Sequence, residues 1–134
     1  YGRTSQPITS FSFGCATQTG GNVVNCRFGL VPSSKLTSVP PDMTVDAYTM
    51  WLHGSGSGET VLEAGLGTRT MPQAGFWTAY PSATGKIMVS GGDVLFYWNG
   101  VLLRTASGAA VGKTFYGQMI VNQMDAVAYI TEVS

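Results

Sequence analysis

The hydrophobic pattern is densest at residues 93–105, DVLFYWNGVLLRT, where two apolar runs flank an Asn-Gly step with almost no polar alternation. Asn-Gly between apolar runs is the strongest short-range signal for a two-residue hairpin, because both residues tolerate the positive φ of a type I′ turn. That turn sets Trp98 opposite Val101 and Phe96 opposite Leu103 on one face. Tyr97 opposite Leu102 and Leu95 opposite Arg104 fall on the other. A half-buried hairpin would alternate cleanly. Two largely apolar faces therefore predict central strands of a two-layer sandwich, with the second face covered by loops, a partner chain or a ligand.

The rest of the chain repeats this pattern. Nowhere do apolar residues recur at helical spacing over three turns with caps. Short β-rich runs alternate with Gly, Pro and Ser clusters instead. Strands are predicted at residues 8–13, 23–30, 47–53, 60–64, 75–78, 86–89, 94–98, 101–105, 114–121 and 126–133. This spacing argues for an all-β fold, an antiparallel β-sandwich or jelly roll. Residues 32–46, PSSKLTSVPPDMTVD, read as a surface loop, since Pro40-Pro41 breaks any strand.

Length and composition narrow the class. The chain of 134 residues is read as a single domain over 1–134, long enough for a real core. Charged residues make up 10%, and seven basic residues balance seven acidic ones. An ordinary globular domain carries about a quarter. Without a basic patch, nucleic acid is not an expected partner. No apolar run approaches the length needed to span a bilayer, so membrane insertion is not expected either. The first residues, YGRTSQPITS, are polar and lack a signal-peptide core, so if the protein is secreted the chain is expected to be already processed or excised.

Cys15 and Cys26 flank the spacer ATQTGGNVVN, whose Gly20-Gly21-Asn22 is a turn signal. A turn there would bring the two Cα atoms within disulfide reach. Two buried free thiols are the alternative. The disulfide is the expectation, and with it an oxidising compartment and a secreted or surface-displayed protein. Two thiols with a single histidine do not make a zinc site.

The order of pieces then resembles the concanavalin A-like jelly-roll modules of surface proteins. It runs through CRFGL at 26–30, Asp46 before AYTMWLHG, VLEAG at 61–65, ATGK at 83–86 and VLFYWNGVLLRT at 94–105. The resemblance covers residues 26–133. It departs from the family pattern at Lys86, where the family carries an aspartate after the glycine. It implies the concanavalin A-like fold, with glycan binding, adhesion or structural packing as the associated functions; fold alone does not choose among them.

Sugar hydrolysis needs two carboxylates flanking the bond. The seven acidic residues are Asp42, Asp46, Glu59, Glu63, Asp93, Asp125 and Glu132. No E-x-D pattern occurs; Glu59 and Glu63 stand at E-x-x-x-E spacing in ETVLE, but Glu63 falls on the family's "vyE" step, where it is read as structural. His53 has no sequence partner for a triad, and no G-x-S-x-G elbow occurs. No catalytic role is expected.

Binding is the sharper reading. Alternation over 47–53 puts Tyr48, Met50 and Leu52 on a core face and Ala47, Thr49, Trp51 and His53 on the opposite face. Trp51 and His53 then stand beside the loop HGSGSGE, which ends in Glu59. An indole for stacking with a few polar groups suits a sugar. The alternative for Trp51 is packing against a neighbouring strand or subunit. A second candidate, QAGFWTAYPSATG, carries Phe76, Trp77 and Tyr80; alternation cannot bury both Phe76 and Trp77 on one face, so one is exposed, in an interface or packed at a corner. Asn99 is read as a turn residue and Arg104 as a snorkelling or ion-pairing one. Asp42 and Asp46 flank a loop that would hold calcium only with further oxygen ligands; otherwise no cofactor is expected.

The expectation is thus an extracellular, lectin-like glycan binder, multivalent through homo-oligomerisation, with Trp51, His53, Trp77, Tyr80 and Glu59 as ligand-binding residues. The alternative is a structural protein such as a capsid protrusion, fibre domain or matrix component, favoured by low charge, six Met and two-faced apolar strands.

Overall fold

The computed structural model describes residues 1–17, 24–36, 43, 47–54, 59–63, 68–71, 80–122 and 126–134. Within them the chain is an antiparallel sandwich of two sheets. The strands are β1 (Gly2–Arg3), β2 (Ser10–Thr17), β3 (Val24–Pro32), β4 (Tyr48–Gly54), β5 (Glu59–Glu63) and β6 (Thr68–Met71). They continue with β7 (Gly85–Ser90), β8 (Asp93–Trp98), β9 (Val101–Ala106), β10 (Phe115–Val121) and β11 (Ala126–Val133). A six-stranded sheet runs β1-β10-β3-β4-β5-β6, and a five-stranded sheet runs β11-β2-β7-β8-β9.

The inner faces follow the two-residue period. Phe11, Phe13 and Cys15 of β2, Ile87 of β7, and Val94, Phe96 and Trp98 of β8 point inward from one sheet. Cys26, Phe28 and Leu30 of β3, Met50 and Leu52 of β4, and Phe115 of β10 meet them from the other. The Phe13 and Phe28 rings stack across the sandwich with centroids 4.2 Å apart. Beside them Cys15 and Cys26 form the expected disulfide, Cα to Cα 6.6 Å, which ties β2 of one sheet to β3 of the other.

The predicted Asn-Gly turn forms, with Asn99 at φ 48° and Gly100 at φ 77°. The flanking strands differ from expectation in two ways. Trp98 pairs with Val101 and Tyr97 with Leu102, but the register then shifts, and Phe96 faces Arg104 rather than Leu103. This bulge absorbs one residue of β9 and turns Leu103 toward the core cluster. Second, β9 is a sheet edge and not a central strand. Val101 and Leu102 are therefore exposed, while β8 alternates strictly between buried and half-buried positions. Two strands, Gly2–Arg3 and Thr68–Met71, were not anticipated; the predicted strand at 75–78 lies outside the described residues.

Candidate functional site

The cross-strand register assembles the outer face of the six-stranded sheet, the side turned away from the core. One row holds Asn25, His53 and Glu59 on β3, β4 and β5. The next holds Ile120, Arg27, Trp51, Val61 and Thr70. The row after that holds Gln118, Gly29, Thr49, Glu63 and Thr68. Three of the residues singled out in the sequence, Trp51, His53 and Glu59, thus share one face in adjacent rows.

Trp51 is held from β3. Its indole Nε1–H donates to Asn25 Oδ1 at 2.6 Å, and the Arg27 guanidinium lies over its ring at 4.4 Å. A planar cation on an aromatic face gains from the ring quadrupole, and more so where water is partly excluded. Trp51 is half-buried, so these contacts fix a wall rather than a closed core position. Asn25 and Arg27 are not among the candidates that alternation singles out. Their partnership arises from strand pairing between β3 and β4, and only their polarity within an otherwise apolar strand marked them.

The neighbouring part of this face is closed. Met43 packs over Gly29, where an added Cβ would come within 2.8 Å of both Met43 Cε and Thr49 Oγ1. Thr49 Oγ1–H donates to the Met43 carbonyl at 2.6 Å. Gln118, 1% exposed, accepts from Arg3 Nε and Nη2 through Oε1 at 2.9 and 2.8 Å and turns its amide nitrogen to Met43 Sδ. Val31, Leu36, Ala47 and Ile120 complete a small second apolar cluster around Met43. Asn25, Arg27 and Trp51, at the other end of this face, are half-buried.

Tyr80 lies elsewhere. Its ring stacks on Tyr129 with centroids 4.2 Å apart and covers Gly14 on the outer face of the five-stranded sheet. The structure therefore places Trp51 and Tyr80 on opposite sides of the sandwich and does not bring them into one site. Trp77 and Phe76, and the calcium candidates Asp42 and Asp46, lie outside the described residues. Among the described residues no three His, Cys, Asp or Glu side chains converge as a metal site would require. No helix among them is long and apolar enough to cross a membrane.

No family model matches the chain, and no curated protein matches it. Among solved structures it is similar to the marine PL7 alginate lyase AlyA1 from Zobellia galactanivorans, with a TM-score of 0.59 and 14% identity. The match covers 100% of this chain and spans 61% of the lyase chain. The chain thus has the concanavalin A-like jelly-roll fold that its motif order resembles. The same likeness corrects one expectation. A chain with no catalytic role was expected, yet the solved structure it resembles is a carbohydrate-active enzyme. Acid and base groups in a sandwich can come from different strands, and His53 on β4 and Glu59 on β5 are register partners.

Proposed function

We propose that this chain is an extracellular carbohydrate-recognition jelly roll that seats a polysaccharide across the outer face of its six-stranded sheet. The observation that carries the reading is the Asn25–Trp51–Arg27 unit, an indole held by a hydrogen bond and a stacked guanidinium at a half-buried end of that face. An indole wall offers the apolar surface a pyranose C–H face needs, and Asn and Arg groups beside it suit hydroxyls or a carboxylate. Likeness to an alginate lyase supports a sugar ligand and makes alginate the first candidate. The disulfide supports an extracellular setting. Assembly into homo-oligomers would multiply weak affinity per site and belongs to this proposal.

A second reading, cleavage of the bound polysaccharide, is favoured by the cross-strand juxtaposition of His53 and Glu59 one row from Arg27 and Trp51. Imidazole and carboxylate are the groups that move protons near neutral pH. One experiment addresses both readings. Electrophoresis of wild type and Trp51→Ala in gels containing alginate reads binding as retardation, and the reducing ends released on incubation read cleavage. Retardation of the wild type and its loss in Trp51→Ala is the expected result. A folded wild type that alginate neither retards nor yields products from would remove alginate as the ligand.

A further inference from the structure

We propose that the outer face of the five-stranded sheet carries a second carbohydrate site, a groove for neutral sugar units centred on Lys86 and Tyr97. It lies on the side of the sandwich opposite Trp51 and goes beyond the site proposed above. The groove is a surface depression of about 440 Å³, open to solvent and lined by Ser12, Thr84, Lys86, Met88, Tyr97 and Gly100. That volume falls within the range of small-ligand clefts.

The register explains its composition. Glu132, Ser12, Lys86 and Tyr97 form one row across β11, β2, β7 and β8. At the strand spacing of a sheet this row spans about 14 Å, room for more than one pyranose ring. Tyr97 and Met88 are half-buried and give the groove an apolar floor. Hydroxyls of Ser12 and Thr84 border it. Its rim is fixed by a two-way exchange: Asn99 N–H donates to the Thr84 carbonyl at 2.8 Å, and Thr84 N–H donates to Asn99 Oδ1 at 2.9 Å. Lys86, the residue that departs from the family pattern, stands in the middle of the row.

The charges select the ligand class. Lys86 Nζ and Glu132 Oε1 lie 3.8 Å apart, too far for a direct hydrogen bond, with side chains 36% and 59% exposed. Such a pair presents a donor and an acceptor side by side. A vicinal diol matches it, with one hydroxyl accepting from the ammonium and its neighbour donating to the carboxylate. The pair is neutral overall, and Glu132 would repel a uronate carboxylate. A neutral glycan therefore fits better than an acidic one.

The test is an amide-shift titration of the 15N-labelled full chain with cellotetraose, maltotetraose and mannotetraose, each separately at millimolar concentration. At least one is expected to give saturable shifts at Ser12, Thr84, Lys86, Tyr97 and Glu132, and these persist in Trp51→Ala. Lys86→Ala and Glu132→Gln alter exposed side chains, and each is expected to weaken that binding at least about tenfold, the loss typical of one charge-assisted hydrogen bond. Shifts confined to Asn25, Arg27 and Trp51 would support the first site and overturn the second. No saturable shift with any of the three sugars, or unchanged affinity in Lys86→Ala, would also overturn it.

Discussion

Replacing Cys15 and Cys26 together with alanine tests how the two sheets are held. The bridge closes a loop of sequence separation 11 between β2 and β3. The chain-entropy relation puts the stability lost on opening such a loop at about 3 kcal/mol. Both cysteines are fully buried against Phe13, Phe28 and their neighbours, so each missing sulfur also leaves a small void. That adds about 1 kcal/mol across the pair. For a domain of this length the sum lowers the thermal midpoint by roughly 10 °C or more. In urea it moves the midpoint by about 2 M at a typical slope. The assay is urea unfolding followed by tryptophan fluorescence, run on oxidised wild type, reduced wild type and the double variant. The reduced wild type is expected to unfold well below the oxidised form, and the double variant slightly below the reduced protein. A midpoint that does not move on reduction would refute the reasoning that this bridge constrains the unfolded chain.

Three further outcomes follow from the packing. Phe13→Ala removes a ring stacked on Phe28 in the fully buried core and is expected to cost about 3–5 kcal/mol in chemical denaturation. Asn99→Val forces a β-branched residue into positive φ and is expected to cost about 1–2 kcal/mol, with the thermal midpoint as the readout. Gly29→Ala drives a methyl against Met43 Cε and Thr49 Oγ1, so it is expected to lower stability by about 1–3 kcal/mol and to speed hydrogen exchange at Thr49 and Gln118.

Much of the fold was legible because its signals are local. The Asn99-Gly100 turn, the alternation of Tyr48, Met50 and Leu52 against Thr49 and Trp51, and the Cys15–Cys26 pairing each depend on residues close in sequence. What escaped depends on partners far apart in the chain. The bulge at Leu103 is set by how β9 pairs at a sheet edge, and the closure by Met43 joins Gly29, Thr49, Gln118 and Arg3 from four separate segments. The site divides in the same way. Alternation placed Trp51 and His53 on one face beside the loop ending in Glu59, but only the register supplied Arg27 and Asn25 as neighbours and put Tyr80 on the opposite side.

The central claim is that the Asn25–Trp51–Arg27 end of the six-stranded sheet recognises a carbohydrate. A glycan array that includes alginate oligomers, probed with wild type, Trp51→Ala and Arg27→Ala of verified β-structure, tests it most directly. The account expects the wild type to bind at least one glycan and both variants to lose that signal by tenfold or more, as loss of a stacking or charge-assisted contact implies. Binding that survives intact in both variants, or a folded wild type that binds none of the glycans, would contradict it.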